Sequence, residues 1–167
     1  MAEKETIFSS RVKYVGIFSF RDFYKFCYDW LTEETGVDIS EDKYEEKIAG
    51  DSKNIVVNWS GNRELTDYFR FDIKITINVG GLTNVEINQA GTKVNTNKGS
   101  IQVGVKGILV RDYKGKFETS AFNKFLRSIY EKWVIPARID EYEDKIAGYC
   151  DEFLSQTKAY LDLEGKK

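Results

Sequence analysis

Two groups of carboxylates are the residues best suited by type and spacing to do chemistry. Asp140, Glu141, Glu143 and Asp144 form one, and Glu41, Asp42, Glu45 and Glu46 the other. Two carboxylates held roughly 5–9 Å apart hydrolyse glycosides, and an oxygen-rich cluster holds calcium or magnesium. Neither group has the fixed acidic spacing around a glycine that a calcium loop needs. Acidic side chains in the first turn of a helix also complement its dipole, worth about 0.3–1 kcal/mol each. The 140–144 group is read in that way, and the rest as a solvated face.

Other catalytic parts are missing. The chain has no histidine, the side chain whose ordinary pKa suits proton transfer at neutral pH and the commonest zinc and copper ligand. Serine and cysteine nucleophiles thereby lose their usual base. Cys27 and Cys150 are far apart, sit in helical contexts and are expected to be buried thiols rather than a disulfide. Val79-Gly80-Gly81 and Gly104-Val105-Lys106-Gly107 match neither the dinucleotide fingerprint nor the P-loop. The expectation is a protein with no enzymatic activity, cofactor or metal, a carboxylate-dependent hydrolase being the catalytic alternative.

Twenty-five basic and 27 acidic residues are interspersed and leave a net charge of −2. Nucleic-acid binders draw most of their affinity from a basic stripe or patch, so no nucleic acid is expected as a partner, although folding could gather scattered lysines. No run approaches the ~18–20 apolar residues that span a bilayer. The first ten residues lack the basic start and apolar run of a signal peptide. A cytoplasmic protein without a membrane span is expected. The unusual feature is aromatic content, 14% of the chain, a residue class that dominates cores and interfaces alike.

The elements that must position these residues follow from periodicity. Residues 1–9 read as a polar arm and 11–19 as a first strand, with Ser19 placed to cap a helix. From Phe20 to Glu34 the spacing of Phe20, Phe23, Tyr24, Cys27 and Leu31 is helical. Phe26 and Trp30 on one side and Tyr28 on the other widen the apolar arc to roughly 200°, about twice what a core-facing helix needs. Gly36 is the expected stop. Residues 44–48 and 54–59 flank a turn at 50–53 and predict a hairpin.

The clearest signal is the alternation of Phe69, Phe71, Ile73, Ile75, Ile77 and Val79 with polar residues, a strand with one buried face. Gly80-Gly81 is expected to turn it. Further short strands are expected around 85–87 and 93–96 and from 101 to about 112, with Gly104 and Gly107 marking a bend or bulge. Residues 119–134 predict a helix whose core face is Phe122, Phe125, Leu126, Ile129 and Trp133. Pro136 should end it. A helix on the order of 40 Å long follows from Ala137 to Leu163, and 165–167 is a tail. Ile139, Ile146, Phe153 and Tyr160 recur every seven residues along this helix, with Tyr142 and Tyr149 offset by three.

Two segments echo each other. Tyr44-Glu45-Glu46-Lys47-Ile48-Ala49-Gly50 reappears as Tyr142-Glu143-Asp144-Lys145-Ile146-Ala147-Gly148, and Phe23-x-Lys25-Phe26 as Phe122-x-Lys124-Phe125. A duplicated unit would need both copies in the same structure, which conflicts with the hairpin at 44–59.

These elements predict a single α+β domain over 10–164, a curved antiparallel sheet of about five to six strands packed against an N-terminal helix and a long C-terminal helix. In element order over 11–163 it resembles the helix-grip arrangement of START-like and pollen-allergen-like proteins. That resemblance implies a sheet wrapped around the terminal helix with a cavity between them, while the helix at 119–134 departs from it. Phe23, Phe26, Trp30, Trp133, Tyr142 and Tyr149 are the candidates for a binding surface or cavity lining. The expected function is non-catalytic interaction or assembly, with a protein partner or self-association through aromatic helical surfaces. The alternative is a carrier or sensor of an apolar small molecule.

Overall fold

The computed structural model describes residues 3–115, 121–134 and 136–166. Five strands build one open antiparallel sheet: β1 (Glu3–Ile17), β2 (Asp38–Ala49), β3 (Ser52–Glu64), β4 (Phe69–Gln89) and β5 (Thr92–Arg111), in the order β1-β5-β4-β3-β2. Three helices complete it: α1 (Phe20–Trp30), α2 (Ala121–Ile129) and α3 (Pro136–Glu164). One π-helical turn, Leu31–Thr35, continues α1, and another, Tyr130–Val134, continues α2. The chain is α+β, compatible with a helix-grip-like arrangement.

The alternation in β4 sets the core. Its odd-numbered side chains from Phe69 to Val79 are buried, and register aligns them with Ile55, Val57 and Trp59 of β3 and with Ile101, Val103 and Val105 of β5. Each fully buried side chain of this size contributes about 1.5–3 kcal/mol. Both helices α1 and α3 lie on this inner face, among the buried side chains of the core.

Three expectations change. Residues 3–9 are strand, with Glu3 paired to Arg111 and a register shift between Thr6 and Phe8. They read as an arm because an edge strand is largely wet and carries charge. Gly80-Gly81 does not end β4. The strand runs on to Gln89 through a register shift between Gly80 and Thr83, and the hairpin turns at Ala90-Gly91 instead. The expected strands around 93–96 and 101–112 are likewise joined through Asn97-Lys98-Gly99 inside β5, so the short strands merge into two long ones.

Gly107 of β5 lies opposite the register shift in β1 between Thr6 and Phe8, and it also marks a close approach. A Cβ there would fall 2.7 Å from Cys150 Sγ and 2.8 Å from Ile146 Cγ2, so α3 crosses β5 where Gly107 presents no side chain. The echoed heptapeptide is strand in β2 and helix in α3, which excludes a structural duplication.

Candidate functional site

The width of the α1 apolar face is explained by three packing partners. Ser19 Oγ accepts from the Asp22 amide at 3.4 Å and caps the helix. Phe20, Phe23, Cys27 and Leu31 are buried in the core. Phe26 stacks on Tyr160 at 4.5 Å, and Trp30 meets Phe153 at 5.6 Å, both on α3. Tyr24 and Tyr28 lie against Trp59 of β3 at 5.1 and 6.0 Å.

Five of the six sequence candidates belong to this interior. Phe23 is fully buried, with Phe18 and Tyr160 against its ring. Tyr142 packs on Phe69 at 5.2 Å and Tyr149 stacks on Phe71 at 6.1 Å, which ties α3 to β4. Phe26, Trp30, Tyr142 and Tyr149 are half-buried. The Trp133 side chain lies outside the described residues. The other five side chains line the seam between α1, α3 and the sheet.

Helix α2 reverses the expectation made for it. Phe122 and Phe125 are 67% and 59% exposed, and Leu126 and Ile129 also face solvent, whereas Arg127 is 7% exposed. The polar side is turned inward because the body offers it charge partners. Arg127 reaches Glu3 at 3.0 Å, Tyr68 Oη at 3.1 Å, Glu131 at 3.4 Å and the buried Asp112 at 3.9 Å. Tyr68 donates to Glu131, and burial together with that carboxylate pushes its phenol well above the ordinary tyrosine value. Removing one partner from this cluster would leave a buried charge uncompensated, which costs about 3–5 kcal/mol. The one signal that points to this orientation is Arg127 and Glu131 at i, i+4 beside a run of phenylalanines.

The remaining chemistry-bearing groups are quiet. Burial pushes the Cys27 thiol well above its ordinary range and the Cys150 thiol up to about 12, so both are free, buried and poor nucleophiles. Glu41 accepts from Tyr24 Oη at 2.5 Å and Trp59 Nε1 at 3.2 Å. Burial, reinforced by that carboxylate, pushes the Tyr24 phenol up to about 12. Glu45 lies between Lys43 and Lys47, and Tyr44 donates to Glu46 at 2.7 Å. From the α3 group, Glu143 approaches Arg111 at 3.7 Å. Among the described residues no group of three or more metal-ligating side chains is placed to hold an ion, and no helix is long and apolar enough to cross a membrane.

Two clefts border these groups. One of about 600 Å³ lies between α2, the start of α3 and the ends of β1 and β5, and its arginines are already engaged by Glu3, Glu5 and Glu143. Another of about 320 Å³ is lined by Phe20, Tyr24, Tyr44 and Leu82, whose two phenols are satisfied by their own carboxylates. No family model matches the chain, and neither the curated proteins nor the solved structures give a match.

Proposed function

We propose that this protein is a non-catalytic interaction module that docks a protein partner, in the first instance a second copy of itself, through the outward apolar face of α2. The carrying observation is an amphipathic helix turned inside out, with Phe122, Phe125, Leu126 and Ile129 in solvent and Arg127 in the body. Aromatic residues left exposed in a cluster mark interaction sites. A stripe of two phenylalanines followed by two aliphatic residues is self-complementary about a two-fold axis, large side chains meeting small ones. Its small area places the association among weak, transient contacts.

The helix-grip resemblance supplies the scaffold for this reading but not the cavity. Where a carrier would hold an apolar ligand, α3 touches the sheet at Gly107 and Phe153 fills the interior. The test is sedimentation velocity across a wide concentration range on the wild type and on Phe122→Ser/Phe125→Ser. Concentration-dependent dimerisation that the double variant abolishes, at unchanged melting temperature, is expected. A wild type that stays monomeric at millimolar concentration overturns self-association.

A further inference from the structure

The sheet has a second face, and among the described residues no helix packs on it around Lys74 and Lys106, although Ile108 and Val110 farther along β5 are buried on it. Register places Lys74 of β4 directly across from Lys106 of β5, and on β1 sets Arg11 across from Gly104 and Lys13 across from Gln102. All of these positions alternate with the buried set and point away from the helices. With about 4.8 Å between strands and about 3.3 Å per residue, Lys13, Arg11, Lys106 and Lys74 form a diagonal stripe about 16 Å long. The four are exposed, and among the described residues none of them makes an ion pair. Of the carboxylates on this face, Asp72 of β4 and Glu45 of β2 are engaged elsewhere, while Asp38 and Glu64 lie toward the other end of β2 and β3. Asp72 is held by Arg70 at 2.7 and 3.0 Å, and Glu45 by Lys43 and Lys47.

Two features of the stripe work against the stability of the sheet. Like charges directly opposite on a ladder repel, as Lys74 and Lys106 do. Glycine inside a strand weakens it, and packing does not require one at 104. A Cβ there would meet Arg11 Cβ and the Ser10 carbonyl oxygen at 3.9 Å, ordinary contact. The glycine instead opens a shallow groove of about 440 Å³, lined by Ser9, Arg11, Lys74, Thr76 and Lys106. Close approach of a ligand is a standing reason for such a residue in a strand, and local rules are broken most often at functional positions.

We propose that this groove and stripe bind the sugar–phosphate backbone of a nucleic-acid strand. Cations interleaved with hydroxyl and amide side chains (Ser9, Thr76, Gln102) are the groups that contact phosphates. At one phosphate per 3.4 Å of strand, the stripe spans on the order of five. No aromatic side chain lies in it to stack a base, so the contacts go to the backbone, which carries no sequence information. A linear groove without an amphipathic helix beside it does not fit a lipid surface, which such helices recognise. The charge that the sequence scatters evenly is concentrated by strand register on one face of a chain with net charge −2.

The test is fluorescence anisotropy with a labelled 20-nucleotide single-stranded DNA of mixed sequence, between 50 and 200 mM salt. A Kd of about 10⁻⁴–10⁻⁶ M at physiological salt is expected, with log K falling against log salt at a slope near −3 for four contacts. Lys74→Gln/Lys106→Gln should weaken binding about tenfold and flatten the slope by about 1.4. Its melting temperature should not fall, because a repulsive pair has been removed. Gly104→Glu places a carboxylate in the groove and should abolish binding. Lys25→Gln/Lys158→Gln, which removes two exposed helical lysines, is the charge control and should bind as wild type. No binding at 50 mM salt, equal loss in the control, or binding to phosphatidylserine vesicles but not to DNA would each overturn the proposal. The α2 double variant should bind DNA normally, so failure here and failure of the docking reading are separable.

Discussion

Helices α1 and α2 carry the same short motif and dispose of it in opposite ways. Phe23-x-Lys25-Phe26 sits in the interior, with Phe23 fully buried and Phe26 stacked on Tyr160. Phe122-x-Lys124-Phe125 sits in solvent. Both helices are amphipathic, and periodicity finds the apolar face of each. What differs is the other face. The wet side of α1 is Arg21, Asp22 and Lys25, all exposed, so nothing competes with its apolar side for the body. On α2 the wet side carries Arg127, which finds Glu3, Asp112, Glu131 and Tyr68 where the strands end. The inner face is also covered by α1 and α3 between them, which leaves α2 at its margin. An apolar stripe is therefore evidence of a surface to be covered, and whether the chain itself covers it depends on the space left.

The sheet offers the same contrast between its two faces, and there the largest effect is expected. Ile75→Asp buries an unpaired charge beside Trp59 and Val105 and should unfold the domain, whereas Lys74→Asp one residue away should change stability by less than about 1 kcal/mol. Urea melts of the pair check this, and equal losses would remove the distinction between covered and open faces. Next in size is the pair of helices. Phe23→Ala should cost about 3–5 kcal/mol and Phe122→Ala no more than about 0.5 kcal/mol. Comparable losses in chemical denaturation would show that α2 packs like α1.

Smaller effects sharpen the picture of how α3 closes the core. Gly107→Ala forces Cys150 and Ile146 of α3 away from the sheet and should cost about 1–3 kcal/mol. Gly104→Ala, on the open face of the same strand, should be neutral or slightly stabilising; thermal melts of the two distinguish the faces of β5. The smallest effect is electrostatic. Burial, with Glu5 adding to it against the pull of Arg111, holds the Glu143 carboxyl above its ordinary value. A carboxyl raised on folding binds its proton more tightly in the native state, so its contribution is present below the ordinary value near 4.5 and is lost as pH rises through the raised one. Glu143→Gln should flatten the pH dependence of stability just above pH 4.5, and an unchanged profile in pH-jump melts would count against that linkage.

Much of this was written in local pattern. The period-2 alternation of residues 69–79 fixes a buried and an open face without reference to anything else, because successive side chains of a strand point opposite ways. Ser19, Gly36 and Pro136 bound their helices as their backbone chemistry requires, and Gly36 does adopt a positive φ of 71°. The two thiols were legible as buried because an unpaired cysteine packs as a small hydrophobe.

Only the tertiary structure decided the rest, and for one reason. Periodicity describes a segment against an unspecified environment, while orientation, register and length depend on what other segments supply. Tyr-Glu-Glu-Lys-Ile-Ala-Gly becomes strand beside β3, and its near copy becomes helix on the sheet, because hydrogen-bonding partners and packing surface outweigh intrinsic propensities of a few tenths of a kcal/mol per residue. Gly80-Gly81 reads as a turn in isolation, yet β5 continues past it and the ladder resumes at Thr83. Arg127 takes the inner side of α2 because carboxylates distant in sequence meet there. Lys13, Arg11, Lys106 and Lys74, far apart along the chain, become neighbours only when β1, β5 and β4 lie side by side in this register.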